Sequence, residues 1–138
     1  MSISFSDLGV SAPLLKAISE LNIVEPTEIQ QKCIPLVLTD TADLVGVAKT
    51  GTGKTAAFGL PLLQLIDTKA SAVQAVILVP TRELGQQIFK SLESFGKYLP
   101  EVSIAATCGG IPIKPQIERL PSPTHIIVAT PGRLIDLI

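Results

Sequence analysis

The residues of this sequence best suited to chemistry form one glycine-rich run that ends in a lysine and a threonine. The run is Ala48-Lys49-Thr50-Gly51-Thr52-Gly53-Lys54-Thr55. Glycines lack the Cβ that would keep the backbone from wrapping closely around an anion. The backbone N–H groups of such a loop, and the helix N-terminus after it, face a phosphate. The run therefore predicts a phosphate-binding loop, in which Lys54 contacts the terminal phosphates of a nucleotide and the Thr55 hydroxyl binds Mg²⁺.

The segments on either side of this loop supply the context that the motif needs. Asp43–Ala48 is mostly apolar and predicts a buried strand, and residues 56–66 predict a helix. Ala48 departs from the usual motif, which has glycine at that place. The alternative is a glycine-rich turn that binds nothing, and the strand–loop–helix context disfavours it.

Strands and helices alternate along the rest of the chain. Strands are predicted at Ala72–Val79, buried on both faces, at Val102–Cys108 and at His125–Ala129. Helices are predicted from Pro80 onward, over residues 111–120 as a short irregular one, and from Leu134 to Ile138. This alternation indicates a parallel sheet covered on both faces, with ligands at the carboxyl ends of its strands. Four turns should share that edge: Gly51 and Gly53, Thr81 and Arg82, Gly109 and Gly110, and Thr130 to Arg133.

Two helices are predicted ahead of the loop. Ser11 is placed to cap the first, which has Pro13 in its first turn and apolar residues such as Leu14 and Ile18 at helical spacing. Thr27 is placed to cap the second, and Cys33 lies on its apolar face.

Composition limits the classes of protein to consider. The chain has 138 residues, enough for one domain, of which 46% are apolar and 17% charged, with a net charge of −1. That charge argues against a broad basic patch, so a nucleic-acid site would depend on a few placed groups. No apolar run is long enough to span a bilayer, and the N-terminus does not resemble a signal peptide. Cys33 and Cys108 are expected to be free thiols in a cytoplasmic protein.

Four segments, taken in order, resemble the motifs of DEAD-box ATP-dependent RNA helicases. They are Glu25–Gln30 with Phe5 ahead of it, Ala48–Thr55, Pro80–Leu84 and Thr130–Arg133, and the Gly109-Gly110 doublet lies between the last two. The chain departs from the family pattern at Asn22-Ile23, where Gly-Phe is usual, and at Gly85, where alanine is common. It also lacks the Asp-Glu-Ala-Asp sequence, the later Ser-Ala-Thr motif and a second domain.

The resemblance implies an α/β fold of the RecA-like P-loop NTPase type. It would be a three-layer α/β/α arrangement with a mainly parallel sheet that is incomplete at its C-terminal side. Residues 1–138 would then be part of the first RecA-like domain, with a Q-motif region at 1–42 and the phosphate loop and RNA-contacting motifs at 43–138. The implied cofactors are ATP and Mg²⁺, and the implied partners are RNA and a second RecA-like domain that this chain lacks.

The resemblance also assigns roles to single residues. Nucleotide contacts fall on Phe5, Thr27, Gln30 and residues 48–55, and RNA-backbone contacts fall on Pro80, Thr81, Arg82, Gly109, Gly110, Thr130, Pro131, Gly132 and Arg133. A side-chain amide such as that of Gln30 offers the donor and acceptor that adenine requires. Phe5 either stacks on the adenine or packs against the first helix. His125 has no predicted catalytic partner and is interpreted as structural.

Three functions are compatible with these residues. The first is an RNA-dependent ATPase that unwinds RNA or remodels RNA–protein complexes, and the second is another P-loop NTPase, such as a DNA helicase or transport ATPase. The third is a binding module without catalysis, which the isolated chain is expected to be because the hydrolytic carboxylate belongs to the absent motif. The strand at Asp43–Ala48 would lack a neighbour, which predicts self-association or marginal stability of the chain.

Overall fold

The computed structural model of the chain describes residues 2–107 and 123–137. The chain divides into two compact units, one formed by Met1–Leu65 and Ser94–Leu99 and the other by Ile66–Glu93 and Pro100–Ile138. The predicted irregular helix at 111–120 and the Gly109-Gly110 doublet lie outside the described residues.

The first unit is helical among its described residues. Its helices are α1 (Ala12–Glu20), α2 (Glu28–Thr39) and α3 (Lys54–Leu65), and α2 packs against α3. The predicted caps Ser11 and Thr27 immediately precede α1 and α2. Each helix buries an apolar face, with Leu14 and Ile18 of α1, Ile34 of α2 and Leu60 and Leu63 of α3 among the most buried residues. The helices predicted around the phosphate loop are therefore confirmed.

The prediction of a buried strand at Asp43–Ala48 is wrong. Residues 43–49 belong to no helix or strand, and the side chains of Val45 and Val47 are both 88% exposed. No backbone group of residues 43–48 has a hydrogen-bond partner among the described residues. A strand forms only where a neighbouring strand satisfies its N–H and C=O groups, and the described residues offer this segment no such neighbour.

The second unit contains a parallel sheet. Its strands are β1 (Ala75–Leu78), β2 (Ile104–Thr107) and β3 (Ile126–Ala129), in the spatial order β1-β3-β2. All pairings are parallel, and Ala129 lies opposite both Leu78 and Thr107. The helix α4 (Arg82–Phe95) follows β1, and α5 (Pro131–Leu137) follows β3. The predicted parallel α/β arrangement is confirmed for these strands.

The prediction that β1 is buried on both faces is wrong. Val76 is 47% exposed and Leu78 is 57% exposed, whereas Ile126 and Val128 of β3 are fully buried. β1 pairs only with β3 among the described strands, and its residues alternate between half-buried and exposed, so the face that carries Val76 and Leu78 is uncovered. A continuous apolar run cannot by itself distinguish a central strand from an edge strand.

His125 has the structural role that its isolation in the sequence predicted. Its ring is buried, and Nδ1 accepts a hydrogen bond from the Ser103 backbone N–H at 3.0 Å. The His125 carbonyl accepts from the backbone N–H of Gln74 at 2.8 Å. The residue thus joins the starts of all three strands, because Ser103 and Gln74 precede β2 and β1.

Candidate functional site

The phosphate-loop candidate has the backbone conformation that its glycines predict. Gly51 and Gly53 have φ angles of +80° and +81°, in the left-handed region that glycine enters without strain. A Cβ added at Gly51 would meet open space, but one at Gly53 would collide with the side-chain amide of Gln30. Gly53 is therefore required both by its φ angle and by the close approach of α2.

Two side chains of α2 and its cap hold the loop. The Thr27 hydroxyl donates to the Thr52 carbonyl at 2.8 Å, and Gln30 Nε2 donates to the Gly53 carbonyl at 3.1 Å. Gln30 Oε1 accepts from the Thr27 backbone N–H at 2.9 Å, and Gln30 is only 3% exposed. The amide thus links the start of α2 to the carbonyl just before Lys54.

Sequence reasoning assigned Gln30 to adenine and missed this second role. The spacing of Thr27 and Gln30 is that of a capping box, in which the side chain three positions after the cap returns to the cap's backbone N–H. That local signal would have predicted the contact with Thr27. The contact with Gly53 spans 23 residues and follows only from the packing of α2 beside the loop.

The loop is also fixed at its own ends. The Thr52 hydroxyl donates to the Lys49 carbonyl at 2.6 Å, and the Gly53 carbonyl accepts a second bond from the Ala57 N–H at 3.1 Å. Lys54 then begins α3 and is exposed, while Thr55 is half-buried. The N-terminus of α3 therefore directly follows the loop, as an anion-binding arrangement requires.

Two cavities adjoin the loop in the first unit. One has a volume of about 550 Å³. Its lining residues come from the start of α2, from the segment before the loop and from the loop itself: Thr27, Glu28, Ile29, Lys32, Val47, Ala48, Lys49, Gly51 and Thr52. The other, of about 340 Å³, is mostly apolar and is lined by Ile29, Cys33, Val37, Leu44, Gly46, Lys54, Ala57 and Phe58. The larger cavity has the size of an ordinary small-ligand site and combines loop backbone with polar side chains.

The charged groups around the larger cavity are exposed. Lys32 and Glu28 form an ion pair of 2.6 Å at its rim, and their mutual hydrogen bond lowers the pKa of Glu28 and raises the pKa of Lys32. Lys49 and Lys54 form no ion pair within the described part of the chain. Two lysines on the loop are therefore available to an anion.

The two predicted RNA-contacting segments leave neighbouring strands on the same edge of the sheet. Pro80, Thr81 and Arg82 follow β1, and Thr130–Arg133 follow β3. The Val79 N–H donates to the Ala129 carbonyl at 3.0 Å, which extends the pairing up to these turns. The Thr81 hydroxyl accepts from the Leu84 N–H at 3.2 Å and so caps α4.

The arginines and glycine of these turns differ in exposure. Arg82 is exposed and Arg133 is half-buried. Gly132 has no heavy atom within 4 Å of the position that a Cβ would take, so the backbone there is open to a ligand. Gly109 and Gly110, predicted for the same edge, lie outside the described residues.

Phe5 differs from the other predicted nucleotide contacts. Its side chain is 3% exposed and belongs to the core of the first unit. The Phe5 carbonyl accepts backbone hydrogen bonds from Leu8 and Val10, both at 3.2 Å, which fixes the turn ahead of α1. This burial favours the packing interpretation of Phe5 over stacking on a base.

Comparison with known proteins identifies the site's relatives. The sequence model for the DEAD/DEAH box helicase family matches residues 27–138. The ATP-dependent RNA helicase DeaD of Klebsiella pneumoniae is 44% identical over 133 residues, which cover 96% of this chain and 20% of that protein. The chain thus spans about a fifth of the length of this curated relative.

Solved structures agree with the fold. A DEAD box protein from the hyperthermophile Methanococcus jannaschii superposes with a TM-score of 0.86 at 39% identity, over 99% of this chain and 37% of that one. Dbp5 of S. cerevisiae bound to RNA and ADP BeF3 gives a TM-score of 0.84 at 30% identity, over 97% of this chain and 33% of Dbp5.

Within residues 2–107 and 123–137, no helix has the length and apolar character needed to cross a membrane.

Proposed function

The chain belongs to the DEAD/DEAH box helicase family, and from that premise we propose that it is the ATP- and RNA-binding part of an ATP-dependent RNA helicase. The observation that carries the proposal is the phosphate loop, which has two left-handed glycines and is held by Thr27 and Gln30 at the start of α3. The parent protein would couple ATP binding and hydrolysis to RNA unwinding or to remodelling of RNA–protein complexes. A P-loop ATPase of another class, such as a DNA helicase, is the weaker alternative, because the relatives reported above are RNA helicases or DEAD box proteins.

The residues of the loop fit a nucleoside triphosphate with Mg²⁺. Lys54 carries an exposed ammonium group at the start of α3, where it would hold the terminal phosphates as a point charge. The loop N–H groups and the helix dipole would bind the remaining oxygens. Bound Mg²⁺ supplies charge neutralisation between phosphate oxygens, and the Thr55 hydroxyl is the oxygen of the loop placed to bind it.

Gln30 can hold the loop and recognise adenine together. Its Nε2 has a second N–H and its Oε1 a second lone pair, beyond those used for Gly53 and Thr27. Those free positions match the N7 acceptor and the N6–H donor of adenine. The larger cavity adjoins this amide, because Thr27, whose backbone N–H donates to Gln30 Oε1, is one of its lining residues, whereas Gln30 itself is buried behind that lining.

RNA is proposed to lie along the turns after β1 and β3. Arg82 and Arg133 would contact backbone phosphates, with Thr81 and Thr130 as hydroxyl donors and Gly132 as a point of close approach. Pro80, Pro131, Gly109 and Gly110 belong to the same proposed contact by their motifs. Contacts of this type position the RNA without selecting a base sequence.

The isolated chain is proposed to bind without hydrolysing ATP. A carboxylate that orients the attacking water accompanies the phosphate loop in this chemistry, and the family places it in the Asp-Glu-Ala-Asp motif that the chain lacks. The second RecA-like domain would complete the RNA clamp in the parent. A cytoplasmic location is part of the proposal and is supported by Cys33, a free buried thiol of the kind found in reducing compartments.

Calorimetry with ADP and GDP tests the function. The chain should bind ADP more tightly than GDP, because the Gln30 amide presents its donor and acceptor in the order that adenine requires. Gln30→Ala should remove the preference, whereas the exposed Gln87→Ala should keep it. Equal affinity of the unaltered chain for both nucleotides would refute adenine recognition, and no binding of either would refute the phosphate loop.

A further inference from the structure

The end of α3 is joined to the turn ahead of α1 by one side-chain amide. Gln64 Oε1 accepts a hydrogen bond from the Ser11 backbone N–H at 2.8 Å, and Gln64 Nε2 donates to the Gly9 carbonyl at 2.9 Å. The two bonds lie on either side of Val10, whose side chain is buried. The donor and the acceptor of one amide are therefore both used on the same short turn.

The bond to Ser11 replaces a cap that α1 lacks. Ser11 directly precedes α1, but its hydroxyl makes no capping hydrogen bond to the described residues of the helix. In a capping box, the side chain three positions after the cap returns to the backbone N–H of the cap. That position in α1 is Leu14, whose side chain has no polar atom. Gln64 supplies the missing acceptor from another helix, so the start of α1 depends on α3.

The turn ahead of α1 is itself firmly built. Gly9 has a φ angle of +95°, and a Cβ there would stand 3.3 Å from Leu38 Cδ1, near the end of α2. The Ser4 N–H donates to Asp7 Oδ2 at 2.8 Å, and the Asp7 N–H donates to Ser4 Oγ at 3.1 Å. Chain termini are mobile unless such contacts tie them down. The turn is therefore a fixed point to which the end of α3 is attached.

The backbone of α3 is weakened in its middle, which makes this attachment important. Pro61 lies inside the helix and has no N–H to donate to the carbonyl four residues earlier. Gly59 is close by, and glycine has the lowest helix propensity after proline. Lys54 begins the helix on one side of this weak point, and Gln64 lies on the other side. Gln30 holds the start of α3 through the loop, and Gln64 holds its end.

We propose that Gln64 is a positioning residue of the nucleotide site, and this proposal rests on the function proposed above. Gln64 keeps α3 where Lys54 and the loop N–H groups bind phosphate together. A ligand binds only the fraction of molecules whose site is assembled, so its apparent affinity falls with that fraction. Both hydrogen bonds of the Gln64 side chain go to the turn ahead of α1 rather than to the loop. Loss of Gln64 should therefore weaken ADP and GDP binding by the same factor.

Gln64→Met tests this role, because methionine has a similar length and makes neither hydrogen bond. Calorimetry on the purified chain should show that the ADP and GDP dissociation constants both rise by about fivefold, the effect of roughly one hydrogen bond. The preference for ADP should stay as in the unaltered chain, whereas Gln30→Ala removes it.

Circular dichroism checks that the variant is folded at the temperature of the calorimetry. If Gln64→Met is not folded, Gln64→Glu takes its place, since it keeps the acceptor for the Ser11 N–H and loses only the donor to the Gly9 carbonyl. Both dissociation constants should then rise together, by about threefold.

Gln74→Met is the matched control. The Gln74 amide also bridges a backbone N–H and a carbonyl, because Oε1 accepts from the Asp67 N–H and Nε2 donates to the Asp67 carbonyl, both at 2.8 Å. Gln74 belongs to the second unit. Urea denaturation should show a loss of stability in both variants. The ADP dissociation constant of Gln74→Met should stay within about twofold of that of the unaltered chain.

Four results would overturn the proposal. An unchanged ADP affinity in Gln64→Met, or in its substitute, would leave Gln64 a role in stability alone. An equal loss of affinity in Gln74→Met would show that binding follows overall stability. A changed preference between ADP and GDP in Gln64→Met would show that the turn ahead of α1 acts on the base rather than through α3. These three results leave the proposed function intact, whereas no ADP binding by the unaltered chain would refute both.

Discussion

The phosphate loop and the segment just before it are neighbours in sequence but differ in what holds them. The loop has two left-handed glycines and side-chain hydrogen bonds from Thr27 and Gln30. Residues 43–48 have no hydrogen bond within the described residues and expose Val45 and Val47. The loop thus keeps its left-handed glycines and its side-chain hydrogen bonds although the strand expected before it is not formed. Its geometry comes from α2 and α3 rather than from a sheet.

Glycine-to-alanine substitutions should show most clearly how the loop differs from the segment before it. Gly53→Ala should weaken ADP binding by more than about tenfold, because the left-handed conformation costs a residue with a Cβ about 1–2 kcal/mol and the Cβ also collides with Gln30. Calorimetry provides the affinity. Gly46→Ala is the matched control in the preceding segment.

The control should behave differently because Gly46 has an ordinary φ angle. A Cβ there would stand at 3.5 Å from its nearest neighbours, which is normal contact. The free energy of unfolding and the ADP affinity should change by less than about 0.5 kcal/mol. A large loss of ADP binding in Gly46→Ala, or none in Gly53→Ala, would show that the loop depends on the segment.

The contact of α2 with the loop depends on the buried side-chain amide of Gln30. Gln30→Ala should lower the free energy of unfolding by about 1–3 kcal/mol, because it leaves the Thr27 N–H unpaired and removes the bond to the Gly53 carbonyl. Urea denaturation measures the loss. Gln87→Ala on the exposed side of α4 should change stability by less than about 0.5 kcal/mol. Equal losses of unfolding free energy in both variants would show that Gln30 does not hold the loop.

The same difference explains how much of the structure the sequence could predict. Helix caps and loop glycines act locally, so Thr27, Gly51 and Gly53 sufficed to place α2 and the loop. Short, mostly apolar runs predicted β1, β2 and β3 for the same reason. Pairing and packing partners are not local, and so the sequence could not show that residues 43–48 find no partner among the described residues or that β1 exposes one face.

The Thr27 hydroxyl should contribute less than the Gln30 amide. Thr27→Val keeps the shape of the side chain and removes the donation to the Thr52 carbonyl, at an expected loss of about 1 kcal/mol in the free energy of unfolding. Thr39→Val is the control, since it removes a hydroxyl bond to the Pro35 carbonyl on the exposed end of the same helix. ADP affinity should fall in Thr27→Val and stay constant in Thr39→Val. A fall in both would point to α2 as a whole rather than to its contact with the loop.

The ion pair at the rim of the larger cavity should have the smallest effect of all. The hydrogen bond from Lys32 lowers the pKa of Glu28 from its ordinary value of 4.5. The stability that the pair contributes is therefore fully present above that pH and is lost as pH falls through the pKa of Glu28 in the folded chain. Both groups are exposed, and exposed pairs contribute little to stability. Between about pH 7 and pH 5.5 Glu28 stays ionised, so the ratio of the ADP affinities of the unaltered chain and Lys32→Met should be constant, since the terminal phosphate of ADP titrates alike with both. NMR titration of Glu28 should show its pKa rising towards the ordinary value in Lys32→Met. An affinity that fell in this variant as strongly as in Thr27→Val would mean that surface charge, rather than the buried hydrogen bonds of α2, holds the loop.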